Sequence, residues 1–219
     1  MLLAKPVTDR REAMADIATA ASVTYIETTA AHAHDAGLIL ADYAGLRADI
    51  PGMSSVDLLV RDAVPGQFVL VETGPLAAVG DAGDAAEARD LALAPLLVAP
   101  CDVRNHGALS VAASDTAATR VAGTLWVVTH VDVVPVHKDS GIARVRNYAA
   151  ATRRAPGCRR CELWQQADRG NHMTLLEVWA DAAARDAHRM DAETRGYRDD
   201  LAAASGALYD ERLYRRHSP

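Results

Sequence analysis

The strongest constraint on this chain is that it carries one pattern twice at a fixed offset. Val23-Thr24 returns as Val128-Thr129, Tyr43 as Tyr148, and Pro51-Gly52 as Pro156-Gly157; Leu58 returns as Leu163, and Leu70 and Glu72 as Leu175 and Glu177, each 105 positions later with no gap. Chance can align a few alanines in this way, but not strand with strand, helix stop with helix stop and acid with acid. The chain is therefore read as a duplicated unit. In both copies an acid sits inside an apolar run of strand length, Phe68 to Gly74 and Met173 to Trp179. Burying a carboxylate is costly, so each acid needs a partner or a task.

Within the first copy the periodicities give an element order. Val23 to Thr28 alternates and is β-branched, a strand, and Asp35 to about Asp49 forms a helix with Leu40, Tyr43 and Leu46 inward. Ser54 to Arg61 and Phe68 to Thr73 form a hairpin, Gly74 to Gly83 a loop, Asp84 to Leu93 a helix and Leu96 to Val103 a strand. The second copy repeats this with strands over Thr124 to Val134, Cys158 to Gln166, Met173 to Trp179 and Leu208 to Arg215. Its helices are Ser140 to Arg153 and one long helix from Asp181, with Ala187, Met190, Thr194, Tyr197 and Leu201 on one face. The order β-α-β-β-α-β is the ferredoxin-like plan. The chain divides into a lead over 1–20, helical from Arg10 to Ala20, a first repeat over 21–105, a linker over 106–123 and a second repeat over 124–216. A ferredoxin-like sheet has helices on one face only and must cover the other. The expected fold is thus α+β, two βαββαβ units packed sheet to sheet.

With 219 residues, half of them apolar, a sizeable core is affordable. The net charge of −6 comes from 29 acids and 23 bases spread along the chain, which argues against nucleic acid or an acidic membrane surface as partner. Charges at Asp9, Arg10 and Arg11 interrupt any signal-peptide core, and three irregularly spaced cysteines make no disulfide framework, so the expected location is cytoplasmic. Cys158-Arg159-Arg160-Cys161 has CxxC spacing, but an odd separation on a strand points two thiols to opposite faces. His32-Ala33-His34-Asp35 reads as a helix-capping stretch rather than a metal site.

Val128-Thr129-His130-Val131-Asp132, Ala155-Pro156-Gly157-Cys158, and Leu176-Glu177-Val178-Trp179 followed by Ala187-His188 together resemble the antibiotic biosynthesis monooxygenase domain family. The resemblance covers residues 124–216 well and 21–105 faintly. It implies a dimeric α+β barrel, built here within one chain, and an O2-using reaction on a small phenol, quinol or anthrone-like substrate. It implies no cofactor, although haem-degrading enzymes of the same fold leave haem as an alternative. A non-catalytic binding or scaffold protein, and a homodimer of the tandem chain, are also compatible with it.

Side-chain alternation puts Glu177 and Trp179 on one face of their strand. The candidate catalytic residues are His188, His130 and Glu177, expected in one pocket, with Trp179, Tyr148 and Met190 as substrate-binding residues and no metal ligands. A histidine titrates in the useful range and a buried glutamate can be tuned upward; equally, Glu177 could fix a helix on the sheet and Trp179 could be core. Haem-degrading relatives use asparagine, tryptophan and histidine, and His130 stands where the asparagine is expected. In the first repeat Tyr25 replaces His130, Gly74 replaces Trp179 and the helix from Asp84 has no histidine, so its site is expected to be degenerate.

Overall fold

The computed structural model describes residues 19–80, 83–112 and 116–218. Most of the helix expected from Arg10 lies outside the described residues; Thr19 and Ala20 already belong to a strand. The first repeat runs β1 (Thr19–Glu27), α1 (Ala33–Ala48), β2 (Ser55–Arg61), β3 (Gln67–Pro75), α2 (Leu76–Gly80), α3 (Gly83–Leu93) and β4 (Asp102–Ser110). After a short helix α4 (Thr116–Thr119), the second runs β5 (Leu125–Asp132), α5 (Lys138–Thr152), β6 (Cys158–Gln166), β7 (His172–Trp179), α6 (Ala182–Met190), α7 (Ala192–Ala202) and β8 (Asp210–Arg216).

The strands close into one antiparallel barrel in the order β1-β3-β2-β8-β5-β7-β6-β4. Each repeat contributes a four-stranded ferredoxin-like sheet, and the seams join β2 to β8 and β4 to β6. Closure leaves no free sheet edge. The barrel interior is packed by Val23, Leu59, Val69, Val71, Trp126, Val128, Leu176, Val178 and Tyr214. The opposite faces carry the helices: Leu40 and Tyr43 of α1 over Leu58 and Leu70, and Val145 and Tyr148 of α5 over Leu163 and Leu175. This is the α+β barrel expected of two sheet-to-sheet units.

Two pairs of equivalent residues touch across the barrel. Tyr25 Oη lies 2.6 Å from His130 Nε2, and Arg160 Nη1 donates to Ser55 Oγ at 3.3 Å, both pairs separated by 105 residues. Equivalent positions meet only beside the pseudo-two-fold axis relating the repeats, so these pairs mark where it runs.

Several boundaries differ from expectation. The last strand of the first repeat is Asp102–Ser110 and occupies stretch 106–110 of the expected linker; the apolar run at Leu96 ends a 3-10 turn and makes one isolated bridge, Leu97 to Thr28. The loop after β3 contains α2. The long helix is two helices broken at Asp191, whose backbone is extended and whose carboxylate caps α7. As a result Thr194, Tyr197 and Leu201 are buried, whereas Ala187 is exposed. A bulge between Cys158 and Arg160 brings both thiols of the CxxC to the helix side, and both are free. No helix among the described residues is long and apolar enough to cross a membrane.

Candidate active site

β7 turns Leu175, Glu177 and Trp179 toward the helices of the second repeat. Trp179 is fully buried against Leu125, Val127, Ala155, Cys158 and Ala184, and its indole N–H donates to Glu177 Oε2 at 3.0 Å. Tyr148, from α5, is a second hydrogen-bond partner of the same carboxylate. Burial pushes the Glu177 carboxyl above its ordinary value; the two hydrogen bonds, with Arg185 and Arg198 farther off, oppose the shift. Tyr148 stacks on Tyr197 with ring centres 4.0 Å apart.

His188, half-buried on α6, completes this cluster. Its ring centre is 4.9 Å from that of Trp179 and 5.8 Å from that of Tyr148. Its Nε2 lies 3.2 Å from the hydroxyls of both Thr152 and Thr194. Burial lowers its proton affinity, with Asp191 and Glu193 pulling the other way, which favours a neutral imidazole. His188 lines a cleft of about 560 Å³ between the end of α5, Pro156 and the α6–α7 break, walled by Ala151, Ala155, Ala184 and Ala187, with Arg154, Asp191 and Glu193 as its charged groups. Met190 stands at its rim, 68% exposed, rather than over a buried substrate, because the break at Asp191 ends the helix there.

His130 does not join this group. It pairs with Thr174 across β5 and β7, whereas Glu177 pairs with Val127, and directly opposed residues share a face. His130 therefore points into the barrel, where it contacts Tyr25, and Thr129 is the neighbour that faces the helices, within hydrogen-bonding reach of Tyr209. Continuing inward, Thr174 Oγ1 lies 3.3 Å from His130 Nδ1 and 2.9 Å from His106 Nε2. Burial lowers both histidines to about 4. A haem iron ligated by His188 would compete with the two threonines at Nε2 and with the packed indole, and the residues present do not fit that ligation.

The first repeat places Glu72 where Glu177 stands, but in different surroundings. Arg47, fully buried, donates from Nε to Glu72 Oε1 at 2.5 Å and from Nη2 to the Ala78 and Val79 carbonyls at 2.9 and 3.2 Å. In the second repeat that position is Thr152. The site expected to be degenerate has altered residues, and a cavity of about 500 Å³ lies there between the sheet and α1–α3.

One cluster was not anticipated. Inside the barrel, buried Arg160 reaches Asp57 at 3.1 Å and Glu162 at 2.8 Å, and the Trp164 indole donates to Glu162 at 3.2 Å. The signal available was the alternation of Arg160, Glu162 and Trp164 on one strand face, which the CxxC reading of the same stretch obscured.

Residues 124–199 match the model of the antibiotic biosynthesis monooxygenase family. No curated protein matches the chain. A candidate monooxygenase of Fusobacterium nucleatum superimposes with a TM-score of 0.82 at 14% identity, covering 93% of this chain and 94% of the other. A candidate monooxygenase of Lactobacillus acidophilus gives 0.69 at 15% identity over 91% and 94%. An anthrone oxidase-like protein gives 0.65 at 14% over 93% and 92%. At these identities the likeness is one of fold.

Proposed function

From a second repeat that belongs to the antibiotic biosynthesis monooxygenase family, we propose that the chain is a cofactor-independent monooxygenase of a small aromatic substrate, a phenol, quinol or anthrone-like ring. The observation that carries this reading is His188, a half-buried imidazole of lowered proton affinity, braced by two hydroxyls and an indole at an alanine-walled cleft. A base in that state takes a proton from a ring hydroxyl or methylene. The resulting anion gives electrons to O2. For a ring methylene, one oxygen atom becomes the carbonyl and the other leaves as water with the two displaced hydrogens.

Trp179 and Tyr148 back the imidazole, Glu177 holds both of them, and Met190 meets the ring at the rim. Glu177 is a positioning residue in this scheme, since it does not line the cleft and acts through its hydrogen bonds to Trp179 and Tyr148. His130, inside the barrel, takes no part. His188→Ala should lower O2 uptake with a panel of quinols and anthrones by about 100-fold or more, and Trp179→Phe, which removes the indole N–H but keeps most of the volume, by less. Unchanged uptake in both variants sinks the assignment. The alternative, a non-catalytic binding protein, draws on the complete burial of Trp179 and the Tyr148–Tyr197 stack, which fill the space facing Glu177. It predicts ring binding without O2 consumption in the native chain.

A further inference from the structure

The cavity of the first repeat opens where its sheet carries a small residue, Ala20, in place of a large one. Ala20 and Gly74 oppose each other across β1 and β3, where the second repeat opposes Leu125 and Trp179. Leu125 and Trp179 fill the space between sheet and helices; Ala20 leaves room at the cavity wall, while the space over Gly74 is taken by Met53 and the Gly52 carbonyl. What remains is about 500 Å³, within the usual range for a small-molecule site and roomy enough for two or three fused rings. Its walls are largely apolar, with Leu76 and Val79 from α2, Ala86 from α3 and Val103 from β4, over a polar floor that includes Asn105.

The charges at this cavity already have partners. Glu72 is held by Arg47, and Arg89 pairs with Asp90 at 2.8 Å while its guanidinium lies 4.5 Å over the Tyr43 ring. Nothing here calls for an ionic ligand. Tyr43 is different: it lines the cavity, it is 3% exposed, and its hydroxyl has no hydrogen-bond partner among the described residues. Its counterpart Tyr148 has Glu177 and Thr152 as partners. In the first repeat Arg47 stands in place of Thr152 and engages the acid, so Tyr43 loses both. A buried hydroxyl without a partner costs stability, and a ligand oxygen would supply the missing bond.

We propose that the first repeat is a separate binding site for a small, neutral, flat ring compound carrying one carbonyl or phenolic oxygen, with the Tyr43 hydroxyl bonding that oxygen. The proposal stands whether or not the His188 cleft oxidises anything.

The test titrates the full chain with 2-naphthol and with naphthalene, followed by the fluorescence of the rings. 2-Naphthol should bind about five- to tenfold more tightly, the range one net hydrogen bond supplies. Tyr43→Phe should erase that difference while leaving the melting temperature unchanged or higher, because the lost hydroxyl had no partner. Ala86→Trp should weaken both ligands more than tenfold, and His188→Ala should weaken neither. If Tyr43→Phe preserves the preference for 2-naphthol, or if binding survives Ala86→Trp and disappears in His188→Ala, the proposal is wrong. Should Ala86→Trp fail to fold, the Tyr43→Phe comparison decides alone.

Discussion

Glu72 and Glu177 occupy one position in two copies of a sheet, yet among the described residues only Glu72 has a guanidinium in contact with it. The repeat in the sequence made both acids look like framework. What separates them is residue 47 against residue 152, arginine against threonine, four positions along the helix from the tyrosines that the repeat did align. His130 illustrates a second limit. Strand alternation gave its face correctly, with Val128 and Asp132, but only the register of β5 on β7 shows that this is the face opposite Glu177. Its burial has a consequence in solution. His130 and His106 fall to about 4 in the folded chain, chiefly through burial, with the Arg104 charge adding to the fall. An unfolded imidazole titrates near 6.5, so between those values the unfolded chain binds more protons. The stability these two groups contribute is therefore complete above about pH 6.5 and is lost as the pH falls toward 4. Urea denaturation at pH 7.5, 6 and 5 should show a falling midpoint, and His130→Gln should flatten the fall.

Among the elements, those with large apolar side chains in a clear period were legible: β2, β3, β6, β7 and both long helices, α1 and α5, lie close to where the alternation and the helical spacing put them. β4 was not, because most of its side chains are exposed and small or polar, and it is defined by backbone pairing to β1 and β6 instead. The break between α6 and α7 was legible in principle. Asp181 and Asp191 each precede an alanine-led segment and each caps a helix, but an unbroken helical period through Met190 masked the second cap. The repeated Pro-Gly was read as a helix stop, and the structure adds a reason that differs between copies. Both glycines have positive φ, +94° at Gly52 and +82° at Gly157. A Cβ at Gly157 would come within 2.5 Å of the Ala184 Cβ on α6, whereas at Gly52 it would meet only Pro75 at 3.7 Å. Gly52→Ala should thus cost about 1–2 kcal/mol from the backbone alone, and Gly157→Ala roughly 1–3 kcal/mol more through overpacking. Equal losses in urea denaturation would contradict the claim that α6 is docked this tightly on the turn.

For the whole molecule, duplication and the need to cover a second sheet face pointed to the barrel, and the barrel is what forms. The seams were beyond the sequence, since they join β2 to β8 and β4 to β6 from opposite repeats. They predict that neither half is self-sufficient. A chain of residues 124–218 alone should be poorly folded or aggregated, and mixing it with residues 19–112 should restore a 1:1 complex with the circular dichroism of the intact chain. A well-folded monomer of 124–218 would rule this out. The two contacts at the pseudo-two-fold axis give the dependence a direction. In an assembly of identical subunits a residue beside the axis can face only itself, so His130 would meet His130 and Arg160 would meet Arg160. Within one chain the two sides of each contact can differ, and here a tyrosine meets a histidine and a serine meets an arginine. The fusion therefore lets Tyr25 and His130 be matched as an unlike pair at the axis, a contact that two identical copies meeting there do not make.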